Sequence, residues 1–127
     1  MNQRPAAPRH NFELPDGIGE AGDAFGVLFH AMPLAGMLTE AETGVVLDVN
    51  DAFRDMFGWT RDEIIGQPTA HSPIWISTEQ RQQLLSAFEQ HGQIEQFEAI
   101  LLCSDGHLKI CRVSMRGVVV DGVHCRL

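Results

Sequence analysis

The stretch that decides the fold runs from Gly44 to Gly66, GVVLDVNDAFRDMFGWTRDEIIG. Val45, Val46, Leu47 and Val49 are β-branched or apolar, which suits a strand. Asn50 stops the strand and can cap the amides of the next turn. Ala52, Phe53, Met56 and Phe57 then fall at helical spacing and give a short helix an apolar face. Gly58 can end it in a left-handed conformation. Thr60 followed by Glu63 is a capping-box pattern for a second short helix, with Ile64 and Ile65 on its buried side. Gly66 and Pro68 close the segment. It holds no nucleophile and no metal cluster, and it reads as the wall of a small pocket.

The rest of the chain frames this wall. Residues 1–15 are rich in Pro, Ala, Asn and Arg without periodicity, and read as a flexible arm. Over residues 16–33, Ile18, Ala21, Phe25, Leu28, Phe29 and Met32 recur at helical spacing up to Pro33. Gly17, Gly19, Gly22 and Gly26 weaken that helix, so it needs a surface to pack on. Ala35 to Ala41 reads as a strand, with Glu42-Thr43-Gly44 turning into Val45 to Val49. Ser77 can cap a longer helix carrying Leu84, Leu85 and Phe88, ending near His91-Gly92. The last third is β: Ile94 to Cys103, a turn at Asp105-Gly106, Leu108 to Met115, then Val118 to Val120 and Val123 to Leu127 around Asp121-Gly122.

A two-residue loop at Asp105-Gly106 would set Ser104 opposite His107 and Ile100 opposite Cys111. One sheet face then carries Phe97, Ala99, Leu101, Cys103, Leu108 and Ile110. The other carries Glu98, Ile100, Leu102, Cys111, Val113 and Met115. Both are apolar enough to need cover. The short helices and the long one can cover one face, and the N-terminal helix or a second subunit the other. The fold class expected is α+β, a five-stranded antiparallel sheet with helices on one face and the N-terminal helix flanking.

Composition excludes several functions. The chain has 127 residues, 44% of them hydrophobic and 20% charged, which fits one packed domain. A formal net charge of −8 argues against nucleic acid and against a polybasic membrane anchor. No run is long and apolar enough to span a bilayer, and the first residues lack a signal-peptide core, so a cytoplasmic location is expected. Cys103, Cys111 and Cys125 form no CxxC pair and read as free thiols.

The order of helix, hairpin, two short helices, longer helix and three-stranded meander resembles the PAS domain. The resemblance is carried by FHAMPLAGMLTE (residues 29–40), by ETGVVLDVNDAFRDMFGWTRDEIIGQ (residues 42–67) and by FEAILLCSDGHLKICRVSM (residues 97–115). It implies a sensor domain over residues 34–127 that binds a small ligand or dimerises. It also implies signalling to an output domain outside this chain, such as a histidine kinase or a diguanylate cyclase, in a two-component or related system. The chain stops with its last strand barely begun, which reads as an excised module. A homodimer through the N-terminal helix or the outer sheet face is the expected assembly.

Two specialised variants bear on the cofactor. LOV domains, which resemble this fold, carry a reactive Cys after the second short helix. The corresponding GQPTAHSPIW, residues 66–75, has none. Haem-binding relatives commonly place an axial His on the long helix. Here Ser77 to Gln90 has no His; His91 sits at its end and His71 before it. Neither haem nor flavin therefore has support from the residues, and the cofactor is left open.

The pocket-lining candidates are Met37, Phe53, Met56, Phe57, His71, Trp75, Glu98, Ile100, Cys111, Val113 and Met115. His71 and Trp75 flank the loop expected to gate the pocket, and Glu98 is a candidate polar group within it. Asn50 is read as a helix cap, and Trp59 as a packing residue. Two other functions stay open: a small isomerase- or dehydratase-like pocket enzyme drawing on Glu98, His71 and Asp48, and a ligand-free dimerisation module with a filled core.

Overall fold

A computed structural model describes residues 21–127. The arm expected over residues 1–15 and the start of the helix expected from residue 16 lie outside them. The elements run α1 (Ala21–Ala31), β1 (Met37–Glu40), β2 (Val46–Val49), α2 (Asp51–Phe57), α3 (Arg61–Ile64), a 3-10 turn (Thr69–His71), α4 (Thr78–His91), β3 (Gln93–Leu102), β4 (Leu108–Val120) and β5 (Val123–Arg126). The strands form one antiparallel five-stranded sheet in the order β2-β1-β5-β4-β3.

The caps read from the sequence are the caps observed. Asn50 accepts from the Phe53 N–H, and Gly58 closes α2 with φ 80°. Thr60 and Glu63 form a reciprocal capping box on α3. Ser77 accepts from the Gln80 N–H, and Gly92 closes α4 with φ 73°. Each is a local hydrogen-bonding choice, which is why sequence alone shows it.

Helices α2 and α3 and the Ile74 segment cover the inner face of the sheet. Val46, Val49, Phe53, Phe57, Ile64, Ile74, Ala99, Leu101 and Cys103 make its buried core. The outer face is covered at one end by α1, whose Phe25 and Phe29 rings stack 5.3 Å apart over Leu38, Val120 and Cys125. Both sheet edges are occupied, which removes the open ladder that invites edge-to-edge association. Along β2, the Val46 N–H donates to the Gln67 carbonyl and the Gly66 N–H to the Val46 carbonyl. Along β3, the Leu102 N–H donates to the Ile74 carbonyl, and the Ile100 N–H to Oε1 of Gln80 on α4 at 2.7 Å.

Three features differ from, or add to, the sequence reading. The first is the β3–β4 register. Ile100 faces Ile110, and Ala99 faces Cys111. The loop has three residues, because the Cys103 N–H donates to the His107 carbonyl and Gly106 alone takes φ 92°. The one-residue slip returns Cys111 and Val113 to the face of Ala99 and Leu101, and turns Glu98 and Ile100 outward with Leu108 and Ile110. Second, Leu108 to Val120 is a single strand. Gly117 does not break it, because Arg116 exchanges two 2.8 Å backbone hydrogen bonds with Leu127 and Gly117 pairs with Arg126. Third, β3 contains a bulge between Ile94 and Phe97, with Gln96 at φ 59° and its N–H on Ser114 Oγ at 3.2 Å. The bulge moves the buried positions from even to odd numbers, so that Ile94, Ala99 and Leu101 all face inward.

Candidate functional site

The position expected for the pocket lies between the inner sheet face and the helices. Phe53 and Phe57, four residues apart on α2, both point into it, with ring centroids 4.9 Å apart. Met37, Phe97, Trp75, Cys111 and Val113 pack on the same cluster as partly buried neighbours. Trp75 is held there because its backbone bridges to Leu101 on the β3 edge. Trp59 also packs here, and its indole N–H donates to the Leu102 carbonyl at 2.8 Å, a structural use of its one polar atom. Met115 is half-buried and opposite Ile94.

Other candidates lie elsewhere. Met56 is exposed on the far side of α2, and His71 is exposed at the end of the 3-10 turn. Glu98 and Ile100 lie on the outer face for the register reason given above, and Glu98 is solvated rather than buried. His91 is exposed as well. Glu98, His71 and Asp48, the trio needed for a pocket enzyme, sit on different elements, and no hydrogen bond joins any two of them among the described residues.

Buried side chains of β2, α2, α3 and β3 pack on one another at this position. Two surface concavities are open grooves: one along α4, lined by Glu79, Gln82, Gln83 and Ser86, the other beside Ala41, Glu42, Val123 and His124. Neither lies between the helices and the inner sheet face.

Two polar groupings flank the core, and both were missed in the sequence. At the outer face, Asp48 joins three elements. Its Oδ1 accepts from Arg61 Nη1 of α3 at 2.5 Å and from the Val49 N–H at 2.9 Å, and its Oδ2 lies 3.2 Å from Nε2 of His30 on α1. Asp51 adds a second carboxylate, 3.4 Å from His30 Nδ1. Hydrogen bonding from Arg54, and then its charge, hold the Asp51 carboxyl below its ordinary value, with His30 contributing less. At the inner face, Arg81 of α4 donates to Thr69 Oγ1 at 2.7 Å, while Arg126 of β5 donates to the Ala41 carbonyl at 2.5 Å. Burial, and then the charge of Arg126, push the Arg81 guanidinium below its ordinary value. Arg81 shares the helical stripe of Leu84 and Phe88, and that was the available signal: a cation on an apolar stripe.

The thiols are structural in character. Burial pushes Cys125 up to about 11, helped by the Glu40 charge, and burial also raises Cys111. A thiol held protonated in this way is a weak nucleophile.

Comparison with known proteins agrees with this architecture. The sequence model of the PAS domain family matches residues 34–126. The fold is similar to that of a PAS domain from a two-component sensor histidine kinase, with a TM-score of 0.65 at 14% identity over 80% of this chain and 86% of that one. It is equally similar to a PAS domain from Colwellia psychrerythraea, with a TM-score of 0.65 at 19% identity over 82% and 90%. The PAS domain of an HTR-like protein from Haloarcula marismortui gives 0.65 at 21% identity over 82% and 84%. No curated protein sequence matches the chain.

Proposed function

This chain belongs to the PAS domain family, the sensory modules of signalling proteins, and from that premise we propose that it works as a homodimeric sensor, coupled to an output domain outside the chain. One observation carries the reading. The half of the outer sheet face that α1 leaves bare is apolar. Ile110 is 73% exposed, Leu108 54% and Ile100 40%, all on adjoining strands β3 and β4. A contiguous exposed apolar patch rimmed by charge is the mark of an interaction surface. Glu98 and Arg112 stand opposite each other on this face. Opposite charges side by side make a patch that a two-fold axis can pair with itself.

The signal would pass by a shift in population between two arrangements of this face and α1. Helix α1 suits that role because it meets the sheet through Phe25 and Phe29 and the Asp48–His30 contact, while Val27 and Leu28 remain exposed. The exposed apolar patch supports a protein contact as the carrier of the signal. The PAS domain from a two-component sensor histidine kinase, similar in fold, supports a kinase-type output as one candidate.

The test is sedimentation velocity on the chain and on an Ile100→Asp/Ile110→Asp variant. The parent is expected to sediment as a dimer and the variant as a folded monomer. A parent that stays monomeric at every concentration reached, or a variant that stays dimeric, would overturn the reading.

A further inference from the structure

The apolar core of the inner face gives way to a polar tract where side chains of α4 reach the 3-10 turn and β5. Arg126 stands opposite Thr39 on β1 and opposite Gly117 on β4. Its guanidinium lies 5.9 Å from the centre of the Phe88 ring and donates to the Ala41 carbonyl. Arg81 lies two helical turns before Phe88 on the same side of α4. It donates to the Thr69 hydroxyl, and the Thr69 N–H in turn donates to the Gly44 carbonyl at 2.8 Å. Both guanidiniums therefore converge on the β1–β2 turn, one from each end, Ala41 and Gly44.

The two cations are not matched by acid. Arg54, Arg61 and Arg116 each hold a carboxylate, on Asp51, Asp48 and Glu95 respectively. Among the described residues, neither Arg81 nor Arg126 forms an ion pair. Glu40 pairs with Cys125 and so lies on the opposite sheet face, where its carboxylate accepts from Thr43 Oγ1 at 2.6 Å. Among the described residues, two like charges thus lie on the inner side of the sheet with no carboxylate in an ion pair with either, in a chain of net charge −8.

We propose that the space between Arg81, Arg126 and Thr69 is a binding site for a small oxyanion, a carboxylate or phosphate group. Each guanidinium spends one donor on the protein, out of about five in a planar fork that fits two oxygens at once. The Thr69 hydroxyl accepts from Arg81 and keeps its proton for the ligand. A bound oxyanion would cancel the repulsion between the arginines and tie α4 to β5 and the β1–β2 turn. The site is separate from the outer sheet face, and it stands or falls independently of dimerisation.

Thermal unfolding of the chain at constant pH and ionic strength tests this, with chloride replaced stepwise by inorganic phosphate in one arm and citrate in another. Arg81→Gln and Arg126→Gln are compared with the parent and with Arg116→Gln, a surface control. Parent and control are expected to show a saturable rise in Tm in at least one arm. The two site variants should show an apparent affinity roughly tenfold or more weaker. The arm that saturates at the lower concentration identifies the oxyanion class. An equal rise in all four proteins, as general exclusion of these ions from protein surfaces produces, overturns the proposal, and so does no rise in the parent. Should Arg81→Gln not fold, the Nε–H resonances of Arg81 and Arg126 in the parent decide: both must shift saturably with phosphate or citrate, and unchanged resonances overturn the site. The sedimentation result is unaffected by either outcome.

Discussion

The side chain of Asn50 donates to the Phe29 carbonyl oxygen at 3.0 Å, across 21 residues of sequence. Its amide also donates to the Leu34 carbonyl, and its carbonyl accepts from the Gly36 and Phe53 N–H groups, each at 2.9 Å. All the hydrogen-bonding capacity of a fully buried amide is met. The residue caps α2 and also fastens the end of α1 and the segment that follows it. Asn50→Asp separates the two roles, because it keeps the acceptors and loses both donors. A cap alone would survive the change. The hub should lose about 2–3 kcal/mol, from two stranded carbonyls facing a buried carboxylate. The urea midpoint measures it.

Gly58 and Gly66 both have positive φ, 80° and 87°. They differ in space. A Cβ on Gly58 would lie 2.3 Å from Ser104 Oγ, whereas one on Gly66 would meet nothing within 4 Å. Gly66→Ala should cost about 1–2 kcal/mol of backbone strain, and Gly58→Ala that plus whatever it costs to turn the Ser104 hydroxyl away. Ser104→Gly in the Gly58→Ala background should recover the excess, which a double-mutant cycle reads directly.

The Asp48 carboxylate is nearly buried, and its Arg61 partner is half-exposed. Arg61→Met therefore removes one of the groups that compensate Asp48, at about 2 kcal/mol, below the usual figure for a fully buried pair because solvent screens the arginine. Asp48→Asn combined with Arg61→Met should cost less than the sum of the single changes. Chemical denaturation of the four proteins gives the coupling.

Gln96 holds a left-handed conformation inside a strand, φ 59°, for the sake of the bulge. Glycine carries no penalty there. Gln96→Gly is expected to raise stability by about 0.5–1 kcal/mol, measured as a higher Tm. A loss of stability would mean that the Gln96 side chain carries more than its backbone.

The Cys125 thiol is raised from 9.0 to about 11. The folded state thus keeps a proton that the unfolded chain gives up earlier. The resulting stability is complete below pH 9 and disappears as pH rises through 11. Cys125→Val should flatten that alkaline limb while leaving neutral stability close to the parent. An unchanged limb between pH 9 and 11 would remove Cys125 as its source.

The local signals of this protein were legible before its structure. Caps, helix stops and the order of elements all rest on hydrogen bonds and contacts within a few residues, so Asn50, Thr60, Ser77 and Gly92 read correctly. The same Asp-Gly pair, however, makes two different loops. Asp121-Gly122 is a two-residue turn with both residues at positive φ, 53° and 76°. At Asp105-Gly106 only Gly106 is left-handed, and the Asp105 carboxylate takes the His107 N–H at 3.0 Å. There the Ser104 N–H is also held by the Phe57 carbonyl at the end of α2, 2.8 Å away. That long-range bond sets a register the dipeptide does not encode, and with it which way Glu98, Ile100 and Cys111 point.

Sequence alone therefore determined the order of the elements, most of their bounds and the family, because capping and periodicity are local properties of the chain, though it split β4 in two. Only the tertiary structure decided which residues meet. Arg81 and Arg126 are 45 residues apart in sequence and belong to different elements. No pattern in either joins them until α4 is laid across β5. The same holds for His30 and Asp48. Long-range pairing is set by how sheet and helices close over one another, and a single residue of register exchanges one sheet face for the other.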